Sequence, residues 1–224
     1  MQWQDGQATN ACETLNDNDM AQVVRLFRAQ RRRMGVETSD EAWFSGPLDE
    51  WLACLKGERE ELERESVAEL AAGMHEKLAL RDALIVSLLC AGSQRAKLLE
   101  LGARPHRPGS VAYLSRAMGD AFRDPKAVPD ADRCERGLRV LGQIVRAVPA
   151  DFRVQPLAII AYVLWWMGDP RSVAYAALAA AGDGRCTLAG IVLSAVEQGI
   201  APAWTGAGGP GAVSDDGPGD EPGE

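Results

Sequence analysis

Five arginines fall within one short stretch of the chain: Arg25, Arg28, Arg31, Arg32 and Arg33. A guanidinium is a planar fork of donors that fits phosphate and carboxylate oxygens. Arg25, Arg28 and Arg32 recur at i, i+3, i+7, which is one face of a helix. Such a face clamps phosphates or the acids of a partner. The plainer alternative is that cations gather at a helix C-terminus, where they complement the axial dipole and stay in water. A second group of residues invites the same pair of readings. Trp43, Phe44 and Trp51 are either a packed aromatic cluster or an exposed face for a protein partner.

Other reactive residue types are sparse. There are two histidines, His75 and His106, and neither an HExxH nor a GxSxG motif. A Ser-His-Asp site or a multi-histidine metal site is hard to build from them. The five cysteines, Cys12, Cys54, Cys90, Cys134 and Cys186, form no CxxC pair and read as reduced thiols of a cytosolic protein. Gly206, Gly208 and Gly211 spell GxGxxG. The dinucleotide motif needs a strand before it and a helix after it, and here the flank is a Pro-rich acidic segment. Tyr162, Trp165 and Trp166 lie on an all-apolar stretch and read as core. These patterns point to no catalytic residue, no cofactor and no metal.

The elements that must position these side chains are helical. Ala and Leu are abundant, β-branched residues are sparse, and no run alternates with period two. A first helix is expected over 19–34, capped by Asn18 and closed by Gly35, and a second from Pro47 to Gly57. Ser66 and Glu69 read as a capping box that opens a third. A further helix is expected over 81–90, a short one capped by Ser110, and a loop over 119–129. Asp130 caps a helix ending before Pro149, in which Cys134, Leu138, Leu141, Val145 and Val148 repeat at four-three-four-three spacing and the arginines lie largely off that stripe. Pro156 opens an apolar helix to Met167. Gly168-Asp169-Pro170 then ties it to an antiparallel alanine-rich partner over 171–181, and a last helix spans 187–198.

Composition sets the frame. Of 224 residues, 46% are hydrophobic and 25% charged, the pattern of a globular chain. The net charge is -8, but 205–224 hold five acids and no base. A body so near neutrality attracts polyanions only through a local basic patch. The start of the chain is polar and acidic, unlike a signal peptide. The longest apolar run, 157–167, spans about 16 Å as a helix against the roughly 30 Å of a bilayer core.

Arg81-Asp82-Ala83-Leu84 in an apolar helix, Pro156-Leu157-Ala158 opening another that ends in tryptophan, Gly168-Asp169, Leu188-Ala189 and the closing Gly199 together resemble the C-terminal half of the bacterial domain of unknown function 4192 family. The resemblance covers about 67–202. It implies a helical fold and a bacterial origin, and carries no functional residue. Tyr162, Trp165 and Gly168, then Ala177, Leu178, Ala180 and Ala181, also resemble one tetratricopeptide-type helix pair. No second copy follows at the period such repeats require.

The expectation is therefore an all-α protein of seven to nine helices, packed as antiparallel hairpins into a bundle or short stack. Residues 1–60 are read as a helical extension, partly disordered before 18. Residues 61–204 are the helical domain and 205–224 a disordered acidic tail. The expected function is a non-enzymatic helical protein-interaction module of the bacterial cytosol, not a membrane protein. The alternative is nucleic-acid association through the arginine-rich first helix.

Overall fold

The structure, a computed structural model, describes residues 14–206. The fold is all-α. Ten helices follow one another: α1 Asp17–Met34, α2 Val36–Lys56, α3 Arg64–Glu76, α4 Leu78–Leu89, α5 Arg95–Ala103, α6 Pro108–Arg123, α7 Ala131–Ala147, α8 Ala150–Trp166, α9 Ser172–Gly182 and α10 Thr187–Glu197. A 3-10 turn, Ala203–Gly206, closes the described chain. Thr205 and Gly206, expected to begin the tail, belong to that turn. The remainder of the expected tail, and of the GxGxxG match, lies outside the described residues.

α8 is the axis of the fold. From Pro156 onward it is apolar all round, and Ala158, Ile159, Ala161, Val163 and Leu164 are buried. It packs against α3, α4, α7, α9 and α10. A helix with no polar face is stable only when covered on every side. Its tie to α9 follows the expected turn. Gly168 adopts φ 75°, its N–H donates to Trp165 O, and Asp169 N–H donates to Leu164 O at 2.8 Å. These two bonds satisfy carbonyls that the helix end leaves open. Asp169 then accepts from Arg171 N–H at 2.8 Å.

Several boundaries differ from expectation, each for a packing reason. α2 runs straight through Pro47, which lies inside the helix. An internal proline costs about 3 kcal/mol. Trp43 and Phe44 before it and Leu48, Trp51 and Leu55 after it are all buried, at about 1.5–3 kcal/mol each, so continuity wins. Pro156 is likewise inside α8 rather than at its start. Ser66 is buried within α3, which begins at Arg64, so no capping box forms there. α6 starts at Pro108, uncapped by Ser110, and runs over Gly119 to Arg123. At α1 the cap is Asn16, which accepts from Asn18 and Asp19 N–H, and the Asp19 carboxylate reaches back to Asn16 N–H.

The expected division at residue 60 separates no cores. Met20, Phe44, Leu48, Trp51 and Leu55 join one continuous cluster with Leu70, Leu84, Leu141 and Ile159. Leu15 is buried too, and its N–H donates to Ala147 O at 2.7 Å; the rest of the segment expected to be disordered, 1–13, lies outside the described residues.

Candidate functional site

Two surfaces gather charge or apolar area in a way that suits a ligand. The first is built where α1 ends. A single residue, Gly35 with φ 81°, separates α1 from α2. That tight junction sets the arginine-rich last turn of α1 beside the first turns of α2. Asp40, the fifth residue of α2, is fully buried. Its carboxylate is held by Arg31, whose Nε lies 2.8 Å from Oδ1, and by Lys77, which also donates to Ala103 O at 2.9 Å. A buried carboxylate is tolerable only with such partners. Arg31 in turn lies 4.9 Å from the Phe27 ring centroid, and Phe27 meets Trp43 edge-on at 4.9 Å.

Around this buried centre the α5–α6 turn supplies two more cations. Arg104 Nε donates to Glu37 at 3.0 Å, and its other end pairs with Glu41 at 2.5 Å. Arg107 donates to the same Glu37 carboxylate at 2.8 Å. Arg31, Lys77, Arg104, His106, Arg107 and Glu37 line a cleft of about 630 Å³.

The remaining arginines of α1 divide. Arg28 forks onto Glu76 with two bonds of 2.7 and 2.8 Å, and its donation holds the Glu76 carboxyl below the usual carboxylate range. Arg25, Arg32 and Arg33 are exposed and have no ion-pair partner among the described residues. The expected clamp of Arg25, Arg28 and Arg32 therefore loses its middle member to an intramolecular pair.

The expected aromatic partner surface does not exist as a surface. Trp43 is 8% exposed, and Phe44 and Trp51 are fully buried. Their polar atoms are satisfied internally: Trp43 Nε1 donates to Glu69 O at 3.0 Å and Trp51 Nε1 to Ser87 Oγ at 2.8 Å. The aromatic rings face the core because α2 is buried along one side by α3, α5 and α7. Tyr162 and Trp166 are core as well, with Trp166 Nε1 donating to Ala121 O. His75 is exposed against Phe152, ring centroids 4.7 Å apart. Among the described residues no three His, Cys, Asp or Glu side chains gather as metal ligands, and no helix is long and apolar enough to cross a membrane. Cys54, Cys90, Cys134 and Cys186 are free thiols.

The second surface is a groove of about 330 Å³ over α8, between α7 and α9. Its floor is apolar: Leu138 and Val145 of α7, Ile160 and Leu164 of α8. Its rim is cationic. Arg139 and Arg146, seven residues apart on α7, are exposed, and Arg171 stands opposite at the head of α9. Arg171 is steadied by Asp169, whose carboxyl it holds below the usual range.

Sequence reasoning found the arginines of α7 as the wet side of an amphipathic helix but not the groove, because the other wall comes from α9. It missed Lys77, Arg104 and Arg107 altogether. The one local signal is that Arg104 and Arg107 each precede a proline in the 104–108 turn, and nothing in the linear order joins that turn to α1. No protein-family model, no curated protein and no solved structure matches the chain.

Proposed function

We propose that the protein is a helical interaction module of the bacterial cytosol that binds an acidic, amphipathic segment of a protein partner in the groove between α7 and α9. The observation that supports this reading is the combination of an apolar floor with a rim of three arginines. Arg139 and Arg146 lie about 10.5 Å apart along α7 at 1.5 Å per residue. A partner helix with acids one heptad apart, and apolar side chains between them, matches both charge and spacing. Charge complementarity at the rim sets orientation and on-rate, and the apolar floor supplies most of the affinity.

Fluorescence anisotropy with three labelled probes tests the proposal: a designed Leu/Glu amphipathic helix, a polyglutamate peptide and a single-stranded oligonucleotide. The expected result is binding of the amphipathic acidic helix alone, weakened by about tenfold or more in R139E/R146E, since two partly exposed pairs each contribute up to about 1 kcal/mol and reversal makes them repulsive. Equal binding of polyglutamate, or full affinity in the double variant, overturns it.

A second reading, nucleic-acid association through α1, draws on the exposed Arg25, Arg32 and Arg33. It requires oligonucleotide binding that falls steeply with salt and disappears in R25A/R32A/R33A. Oligonucleotide binding that survives this triple variant removes that reading.

A further inference from the structure

The cleft at the end of α1 is independent of the groove on α7 and has its own chemistry. Four basic side chains reach it from three separate segments: Arg31 from α1, Lys77 from the α3–α4 link, Arg104 and Arg107 from the α5–α6 turn. Three helices begin at its edge. Val36 and Glu37 open α2, Lys77 immediately precedes α4, and Arg107-Pro108 opens α6. None of the three has a side-chain cap, so the positive ends of three dipoles remain to favour negative charge.

The carboxylates present do not exhaust these donors. A guanidinium has five N–H groups. Arg107 spends one donor on Glu37, and Arg104 spends its Nε on Glu37 and one terminal nitrogen on Glu41. Asp40 lies buried beneath and serves Arg31 and Lys77. Glu37 is different, because its side chain is about half exposed at the rim. It sits between Arg104 and Arg107, where the oxygens of an incoming anion would sit.

We infer that this cleft is a binding site for a compound carrying several linked phosphate groups, whose oxygens replace the Glu37 carboxylate between Arg104 and Arg107. A singly charged anion gains nothing over Glu37, which already fills one position. A chain of phosphates fills that position and also meets the unspent donors and the uncapped helix starts. The volume of about 630 Å³ lies in the range of small-molecule sites, and planar arginine forks match phosphate oxygens bidentately.

Isothermal titration of the full chain at low ionic strength is the test, with sodium tripolyphosphate and orthophosphate as probes. Tripolyphosphate is expected to bind at least about tenfold more tightly than orthophosphate. R104E/R107E, both near the surface and away from buried Asp40, is expected to lose that binding while keeping the far-ultraviolet circular dichroism of the parent. E37Q removes the competing charge and is expected to bind severalfold more tightly, a gain that damage to the fold does not produce. R139E/R146E is expected to bind as the parent does, which separates this site from the α7–α9 groove. Co-sedimentation with phosphatidylcholine vesicles containing diacylglycerol pyrophosphate distinguishes the source: pelleting that tripolyphosphate reverses assigns the site to lipid headgroups with linked phosphates, and its absence beside tripolyphosphate binding assigns it to soluble phosphates. No heat with tripolyphosphate, equal affinity for orthophosphate, undiminished binding in R104E/R107E, or E37Q binding no more tightly than the parent overturns the inference.

Discussion

Replacing Asp40 with Asn removes one negative charge from a fully buried position and leaves the side chain's shape almost unchanged. Asp40 is fully buried, its partners Arg31 and Lys77 are 25% and 13% exposed, and both pairs are direct. The cost of the substitution is therefore not the loss of two weak surface pairs, which would be under about 1 kcal/mol each. It is the cost of leaving two cations close together with no anion between them, one of them largely out of water. Breaking a buried pair in this way costs about 3–5 kcal/mol. Partial exposure of Arg31 lets water recover some of that, so about 2–4 kcal/mol is the working figure for D40N. Urea unfolding followed by circular dichroism reads it directly. With a slope of about 2 kcal/mol/M, the midpoint falls by about 1–2 M. The double variant D40N/K77M removes the stranded cation together with its partner and is expected to be more stable than D40N alone. A D40N midpoint within about 0.2 M of the parent, or a double variant no more stable than the single one, refutes the account of this centre.

Trp51→Ala is expected to lose about 3–5 kcal/mol in the same assay, since the ring is fully buried and Ser87 Oγ loses its donor; a loss under about 1 kcal/mol would restore a surface role for this residue. Gly168→Ala is expected to lower stability by about 1–2 kcal/mol from backbone strain at φ 75°, because no atom lies closer than 4.0 Å to the added methyl; an unchanged melting temperature contradicts the turn geometry. Burial, with a smaller push from Asp130, raises the Cys134 thiol from 9.0 to about 12. Iodoacetamide at pH 8 is then expected to leave Cys134 unmodified in the folded protein and to label it after unfolding. The sign of the linked stability follows. The unfolded thiol ionises above about 9 while the folded one keeps its proton, so the unfolded state binds fewer protons and stability falls as pH rises from about 9 towards 12, by at most about 1.4 kcal/mol per pH unit for this group. Cys134→Ala is expected to flatten that decline, and an identical pH slope in parent and variant refutes it.

Helical periodicity, glycine stops and the Gly168-Asp169-Pro170 turn are local features, settled within a few residues by backbone sterics and hydrogen bonding, and they made the fold class and the α8–α9 hairpin legible in the sequence. So was the two-sided character of α7, whose apolar stripe and arginine face recur with the helix period. Pro47 and Pro156 lie inside helices where the sequence predicts starts, because their local penalty is visible in the sequence and the distant burial that outweighs it is not. The five arginines of α1 show the same limit. Their spacing on one helix is sequence information, but whether each faces water or a carboxylate depends on Glu76 and Asp40, brought up by chain closure. Only that closure joined Arg104 and Arg107 to Glu37 and sank Trp43, Phe44 and Trp51 into the core. Periodicity marks an apolar stripe but not which helix will cover it; charge clusters mark donors but not the acceptors that three-dimensional proximity supplies.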